Sequence, residues 1–413
     1  MQTPWEHRFS QRTQRMQSSA IRELLKVTEL PGVISFAGGM PAPDVFPIEE
    51  VLAATERVLH GPLGPKALQY GATEGYTPLR EMIARYASRI DIEISTENIL
   101  ITTGSQQALD LLGKIFINRG DRILVENPTY LGALQAWNAY GAEYVTVPSD
   151  ENGMITEELE QALRFGPKFI YTMPNYQNPT GVTMPTERRR QLVELADRYG
   201  VPIVEDDPYG QLRYEGEYLP GVNVVDSEMR GLNHGSYTGN VIYLSTFSKI
   251  LAPGFRLAWV VAPPEVITKL VQAKQGTDLN TSTFNQIVAY EVGHGGFLDK
   301  HAEVICRVYR ERRDVMLDAL EEHMPAGVRW TRPRGGLFLW MTMPEGTKAV
   351  DIFKECVEEK VAFVPGFSFF PRGGGENTAR LNFSNATPEM INEGIARMAR
   401  VMRKYIKTTT PVR

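Results

Sequence analysis

The chain has 413 residues, 42% of them hydrophobic, enough to bury one or more substantial cores. Its 49 acidic residues nearly balance 44 basic ones, giving a formal net charge of -5, so nothing in the charge points to nucleic acid or an anionic membrane as a partner. Only two cysteines are present, Cys306 and Cys356, in unlike contexts, which argues against a disulfide scaffold or a thiolate metal site and fits a cytoplasmic setting.

The first residues, MQTPWEHRFSQRTQRMQSS, lack the apolar stretch of a secretory leader, and no later window reaches the length of an apolar membrane span. After Ser18 and Ser19 the segment AIRELLKV puts Ile21, Leu24 and Leu25 on one face, which predicts a helix with Arg22 pointing elsewhere. From about residue 100, short apolar runs alternate with helical patterns. RILVE, KFIYTMP, VPIVEDD, VIYLS and RLAWVVA read as buried strands, predicting an α/β sheet with helices on both faces. In GSQQALDLLGKIF, Ala108, Leu109, Leu112, Ile115 and Phe116 recur at helical spacing behind Gly104 and Ser105. A second helix is predicted from Pro185 to Tyr199, stopped by Gly200. Between Arg213 and Asn240 periodicity fades, which predicts a surface excursion.

The long pattern KHAEVICRVYRERRDVMLDALEEHM predicts a helical connector into a smaller α+β unit. There GGLFLWMTM, VAFVPG and ARLNFS are strand candidates, and Pro388 to Tyr405 is a final amphipathic helix. PRGGGENT lacks the lysine and spacing of a nucleotide-phosphate loop and reads as a turn. His294 and His301 lack the spacing and acidic companion of a helical zinc site, so no metal is expected.

Ligands of open α/β sheets collect beyond the carboxyl ends of the strands, and the unusual polar residues fall there: Tyr130, Asn178, Asp206 with Tyr209, and Lys249. A lysine partly withdrawn from water, near a second cation such as Arg256, has its charged form disfavoured and becomes a nucleophile able to form a Schiff base. Thr246, Ser248 and Arg256 around it, with the helix start at Ser105 and Gln106, offer hydroxyls, a guanidinium and free N–H groups to a phosphate monoester. A hydrogen bond to a charged group is worth about 1.5–3 kcal/mol and a helix dipole about 0.3–1 kcal/mol, so Arg256 is expected to dominate. Asp206 beside a pyridine nitrogen would complete a site for pyridoxal 5'-phosphate, with Asn178 and Tyr209 at its O3' oxygen and Tyr130 stacked on the ring. Each residue alone has an ordinary reading, as a solvated lysine, a helix cap, a turn or a core aromatic. It is their combination in one crevice that carries the inference.

The motifs SFAGGMPAPDVFP, ALQYGATEGYTPLR, ITTGSQQALDL, NPTYLGALQ, YQNPTG, VEDDPYG, STFSKILAPGFR, VQAKQGTDL, GGLFLWM and GGGENTARLNFS occur in this order over nearly the whole chain. Their set resembles the fold-type I pyridoxal-phosphate aminotransferases of class I/II, and within them the 2-aminoadipate and kynurenine aminotransferase branch. The resemblance implies an α/β aspartate-aminotransferase-like fold. A large cofactor domain with a mostly parallel central sheet would span residues 46–308, and a smaller α+β domain 309–413, which segment 1–45 joins. It implies that Lys249 carries the cofactor and shuttles the proton, that Asp206 pairs with the ring nitrogen, and that Tyr209 and Asn178 bind O3'. Ser105, Gln106, Thr246, Ser248 and Arg256 become the phosphate cup, and Tyr130 stacks on the ring. Tyr70 would reach the phosphate of a neighbouring subunit in a homodimer. Arg380 would bind the substrate α-carboxylate, assisted by Asn178 and the backbone near Gly39, with Arg22 as a side-chain selector. The expected reaction is ping-pong transfer of an amino group from an L-α-amino acid to a 2-oxo acid, with 2-oxoglutarate as acceptor. Two alternatives stand beside it: a lyase or decarboxylase on the same scaffold, and an effector domain of a transcription factor, which needs a DNA-binding module that the fewer than fifty residues before the cofactor domain do not supply.

Overall fold

A computed structural model describes residues 3–16, 31–87, 92–231 and 237–406. The predicted helix after Ser19, and Arg22 with it, lie outside the described residues.

Fourteen strands are described: β1 (Ile34–Ser35), β2 (Ile99–Thr102), β3 (Arg122–Asn127), β4 (Glu143–Asp150), β5 (Gly153–Met154), β6 (Ile170–Thr172), β7 (Ile203–Asp206), β8 (Val241–Thr246), β9 (Ala258–Val261), β10 (Arg329–Trp330), β11 (Phe338–Thr342), β12 (Val361–Ala362), β13 (Val364–Pro365) and β14 (Thr378–Asn382). Eight of them form the central sheet in the order β2-β9-β8-β7-β6-β3-β4-β5. The run from β8 to β4 is parallel throughout, β9 is antiparallel to both its neighbours, and β5 folds back antiparallel on β4. Successive side chains point to opposite faces. Val125, Tyr171, Val204, Leu244 and Val260 therefore join one core with Leu109 and Leu112 of helix Ser105–Phe116, while Leu124, Ile170, Ile203 and Val241 pack with Leu192, Val193 and Ala196 of helix Thr186–Tyr199. Burial on both faces is why these strands read as unbroken apolar runs.

The second sheet, β10-β11-β14-β13, is antiparallel, and beside it β1 pairs in parallel with β12, Ile34 opposite Val361. The N-terminal segment is thereby stitched to the C-terminal part. VAFVPG is not one strand but two, because Val361 and Ala362 bond to β1 whereas Val364 and Pro365 bond to β14. The connector helix Phe297–His323 runs 27 residues and packs against the last helix, Pro388–Tyr405.

The expectation of a surface excursion over 213–240 is corrected. Residues Val222–Arg230 form a helix that buries Val222, Val224 and Val225. Its N-cap, Gly221, has no side chain to cap it; instead the buried carboxylate of Glu205 accepts the N–H groups of Val222 and Asn223, each at 2.9 Å. A carboxylate at a helix start satisfies orphan donors and favours the dipole. Because the cap comes from β7, the local sequence carries no start signal.

Candidate active site

Strands β8, β7, β6 and β3 are neighbours in the sheet and run the same way, so their carboxyl ends open on one side. Lys249 follows β8, Asp206 ends β7 with Tyr209 just beyond, Asn178 follows β6, and Tyr130 follows β3. The ends of β6 and β7 are linked by hydrogen bonds, from Tyr171 to Asp206 and between Asn178 and Tyr209.

Asp206 is buried, and its Oδ2 accepts a hydrogen bond from the Tyr171 hydroxyl at 2.8 Å. Its Oδ1 is buried without a partner among the described residues. Burial pushes this carboxyl up to about 7, against the pull of Tyr171. A cationic donor at Oδ1 would hold it ionised.

Lys249 is partly buried, and its Nζ donates to the Gly39 carbonyl at 2.9 Å and lies 6.0 Å from the centre of the Tyr209 ring. Burial, reinforced by Arg380 and then Arg256, lowers the amine to about 8. The sign follows: the uncharged amine gains population as pH rises through 8, so at pH 7 about one amine in ten is free, against about one in three thousand at 10.5. In the cofactor-free protein, the rate at which Lys249 takes up an added aldehyde, followed by absorbance, is expected to reach half its plateau near pH 8. A rate still climbing steeply above pH 10 would contradict this environment.

Arg380 sits on β14 between Trp340 and Val364 of the flanking strands. Only 7% exposed, it donates from Nη1 to Asn178 Oδ1 and from Nη2 to the Ala37 carbonyl, both at 2.8 Å, and its Nε has no partner among the described residues. The guanidinium lies 4.2 Å from the centre of the Phe338 ring and 5.2 Å from that of Phe369. Burial lowers it to about 10, and it remains a cation at neutral pH. Asn178 also bonds Tyr209, whose ring meets Phe338 edge-on at 6.0 Å.

At the helix start, Ser105 Oγ is buried without a partner among the described residues, while the side chain of Gln106 is committed to the Gly132 carbonyl at 2.8 Å, leaving its backbone N–H for a ligand. Gly104 has φ +78°, and a Cβ there would collide with the Arg256 guanidinium, so helix start and arginine face each other closely. Thr246 Oγ1 lies 3.0 Å from Ser248 Oγ and from the Leu257 carbonyl, and accepts the Ser248 N–H at 3.1 Å. Burial raises the Tyr130 phenol, with Asp206, Arg380 and Arg256 acting on it next. Tyr70 is 78% exposed.

The orphaned groups test the fit of the expected cofactor. Asp206 Oδ1, Ser105 Oγ beside Arg256, and Arg380 Nε match a ring nitrogen, a phosphate and the carboxylate of an amino acid. A lysine of lowered basicity stands among them. Tyr171, Ala37, Phe338 and Phe369 belong to this constellation and are absent from the sequence reading. Tyr171 lies inside an apolar run, where a phenol with a polar tip is the one available signal.

A lysine, a buried carboxylate and a serine hydroxyl, unpartnered among the described residues, at a helix start facing an arginine, all at the carboxyl ends of parallel strands, are the groups a fold-type I pyridoxal-phosphate enzyme requires. The family model described as "Aminotransferase class I and II" matches residues 33–398. An aromatic-amino-acid aminotransferase 1 of Thermococcus litoralis is 48% identical over 98% of this chain and 96% of its own. The solved structure of the alpha-aminoadipate aminotransferase of Thermus thermophilus, complexed with N-(5'-phosphopyridoxyl)-L-leucine, superposes with a TM-score of 0.90 at 44% identity, covering 98% of this chain and 99% of that one. That of the Pyrococcus horikoshii kynurenine aminotransferase, in complex with PMP, superposes at 0.92 with 45% identity and the same coverages. The chain belongs to the class I and II aminotransferases, and its cofactor is pyridoxal 5'-phosphate.

Proposed function

We propose that this aminotransferase moves the amino group of an L-α-amino acid, of the 2-aminoadipate, glutamate, branched-chain, methionine or aromatic type, to 2-oxoglutarate, as a cytoplasmic homodimer. The observation that carries the reading is Arg380, a buried guanidinium with an uncommitted Nε among aromatic rings, on the same crevice as Lys249. Its planar fork suits a carboxylate shared by every α-amino acid.

When bound, pyridoxal phosphate supplies an aldehyde for the amine and a protonated ring that accepts electrons. Arg380, with Asn178, holds the α-carboxylate and so orients the substrate, while the Gly39 carbonyl holds the Lys249 amine beside it. Lys249 Nζ would hold the cofactor through its aldehyde and, as the free amine, would take the proton from the substrate α-carbon and carry it for return. Asp206 would hold the proton on the ring nitrogen, with Tyr171 keeping Asp206 in place. Tyr209 and Asn178 would donate to O3', and Tyr130 would cover the ring. Ser105, the Gln106 N–H, Thr246, Ser248 and Arg256 would grip the phosphate, and Tyr70 of the partner subunit would reach it. Support for that second copy comes from Ile48, Leu52 and Leu59, apolar side chains exposed along one side of helix Ile48–His60, and from Leu68 and Tyr70 nearby in sequence.

Glutamate added to the holoenzyme is expected to shift the visible band to the pyridoxamine form and release 2-oxoglutarate stoichiometrically. Release of ammonia without that shift would replace the transaminase reading by a lyase. For Arg22, the proposed selector of acidic side chains, kcat/KM over a panel of donors is expected to fall with Arg22→Ala for 2-aminoadipate and glutamate by about 10-fold or more, the loss of one charged hydrogen bond, and to hold for leucine. Equal change across the panel would remove the role.

A further inference from the structure

The motif KQGTDLNT, residues 274–281, takes no part in the site described above, yet it contains a fully buried lysine. Lys274 Nζ donates to both carboxylate oxygens of Asp278, at 2.7 and 2.8 Å, and to Gln107 Oε1 at 2.9 Å. Gln107 lies in the first turn of helix Ser105–Phe116. Its Oε1 also accepts the Thr103 N–H at 2.8 Å, and its amide donates to Asp278 Oδ2 at 2.7 Å. The Thr103 hydroxyl completes the knot, 2.8 Å from Asp278 Oδ2 and 3.0 Å from the Thr281 hydroxyl.

Such a pair is a poor source of stability, because desolvating two charges offsets most of their attraction, and apolar residues of similar volume often serve as well. What it does supply is a defined position. The side-chain bonds that Lys274 and Asp278 send out of the motif go to Thr103 and Gln107, the residues on either side of Gly104, Ser105 and Gln106. Gly104 has no room for a Cβ against the Arg256 guanidinium, so a small shift of this turn changes the gap between the helix start and Arg256. The other side of that gap is tied to the following helix: Asn285 Nδ2 donates to the Phe255 carbonyl at 3.0 Å, holding the turn in which Arg256 adopts a left-handed φ of +52°.

We propose that Lys274 and Asp278 are positioning residues of the phosphate cup: they fix the Thr103–Gly104 turn so that Ser105, the Gln106 N–H and Arg256 close on the cofactor phosphate together. The inference rests on the reading of those three groups as the cup. It assigns to a motif without contact to the reacting atoms a specific effect on one end of the cofactor.

The test compares the full-length wild-type protein with Lys274→Met, which keeps the stem volume, and Asp278→Asn, which keeps the hydrogen-bonding shape without the charge. Each is loaded with pyridoxal 5'-phosphate or with pyridoxal, and release is followed by absorbance alongside Tm. In the wild type the phosphorylated cofactor is expected to leave at least about 100-fold more slowly than pyridoxal, the value of one or two charged hydrogen bonds. In Lys274→Met its release should quicken by about 10-fold or more, with pyridoxal release unchanged; Asp278→Asn should do the same more weakly. Equal release of the two cofactors from the wild type would overturn the cup and this proposal with it. A wild type that discriminates, with both variants keeping its full ratio, would overturn the proposal alone, as would a fall in Tm with both cofactors released faster by the same factor. If Lys274→Met does not accumulate as folded protein, the ratio in Asp278→Asn decides.

Discussion

Lys249→Ala is expected to reduce transamination by at least about 10²–10⁴-fold, the typical worth of a positioned general acid–base, and to remove the covalent attachment of the cofactor altogether. Two losses coincide in one atom. In the proposed mechanism Nζ both joins the cofactor and moves the α-proton; in the structure it donates to the Gly39 carbonyl. Its lowered basicity comes from burial, reinforced by the two arginines. The folded state should persist, since the change deletes a partly buried side chain from the turn after β8 and leaves the core residues of that strand untouched. Steady-state kinetics and the visible spectrum of the variant check both losses. Retained turnover with an unchanged spectrum would contradict the assignment.

Arg380→Leu is expected to lower kcat/KM for every amino donor by about 10²–10⁴-fold, the value of two charged hydrogen bonds to a carboxylate, chiefly through KM. The aromatic pair Phe338 and Phe369 would accept leucine sterically, but Asn178 Oδ1 and the Ala37 carbonyl would each lose a buried partner. Part of the effect is therefore indirect, through Asn178 to Tyr209. Amines that lack a carboxylate separate the two contributions: their turnover should fall only by the indirect share, well short of the loss seen with amino acids. A loss of the same size for carboxylate-free amines would mean that Arg380 shapes the site without binding substrate.

Much of the candidate site was legible because its residues follow parallel strands, whose burial on both faces leaves apolar runs ending in abrupt polar residues. Lys249 and Arg256 stand seven positions apart in one such segment, and Asp206 and Tyr209 three apart in another. Arg380 was not legible from its surroundings. It projects from a strand of the smaller sheet, and its partners Asn178 and Ala37 are 202 and 343 positions away, so its role came with the family resemblance alone. Tyr171 escaped because an aromatic side chain in a buried strand has the appearance of core, and only its hydroxyl on Asp206 distinguishes it. The helix Val222–Arg230 escaped for a related reason, since its cap is Glu205, far off in sequence. In each case the missing information is a contact between distant segments, which local periodicity cannot carry.

Every role proposed for the crevice depends on Lys249 Nζ holding pyridoxal phosphate covalently. Reducing the yellow holoenzyme with borohydride and mapping its peptides by mass tests this directly. One phosphopyridoxyl group per chain, on Lys249, is the predicted result; the group on another lysine, or none retained after denaturation, would contradict it.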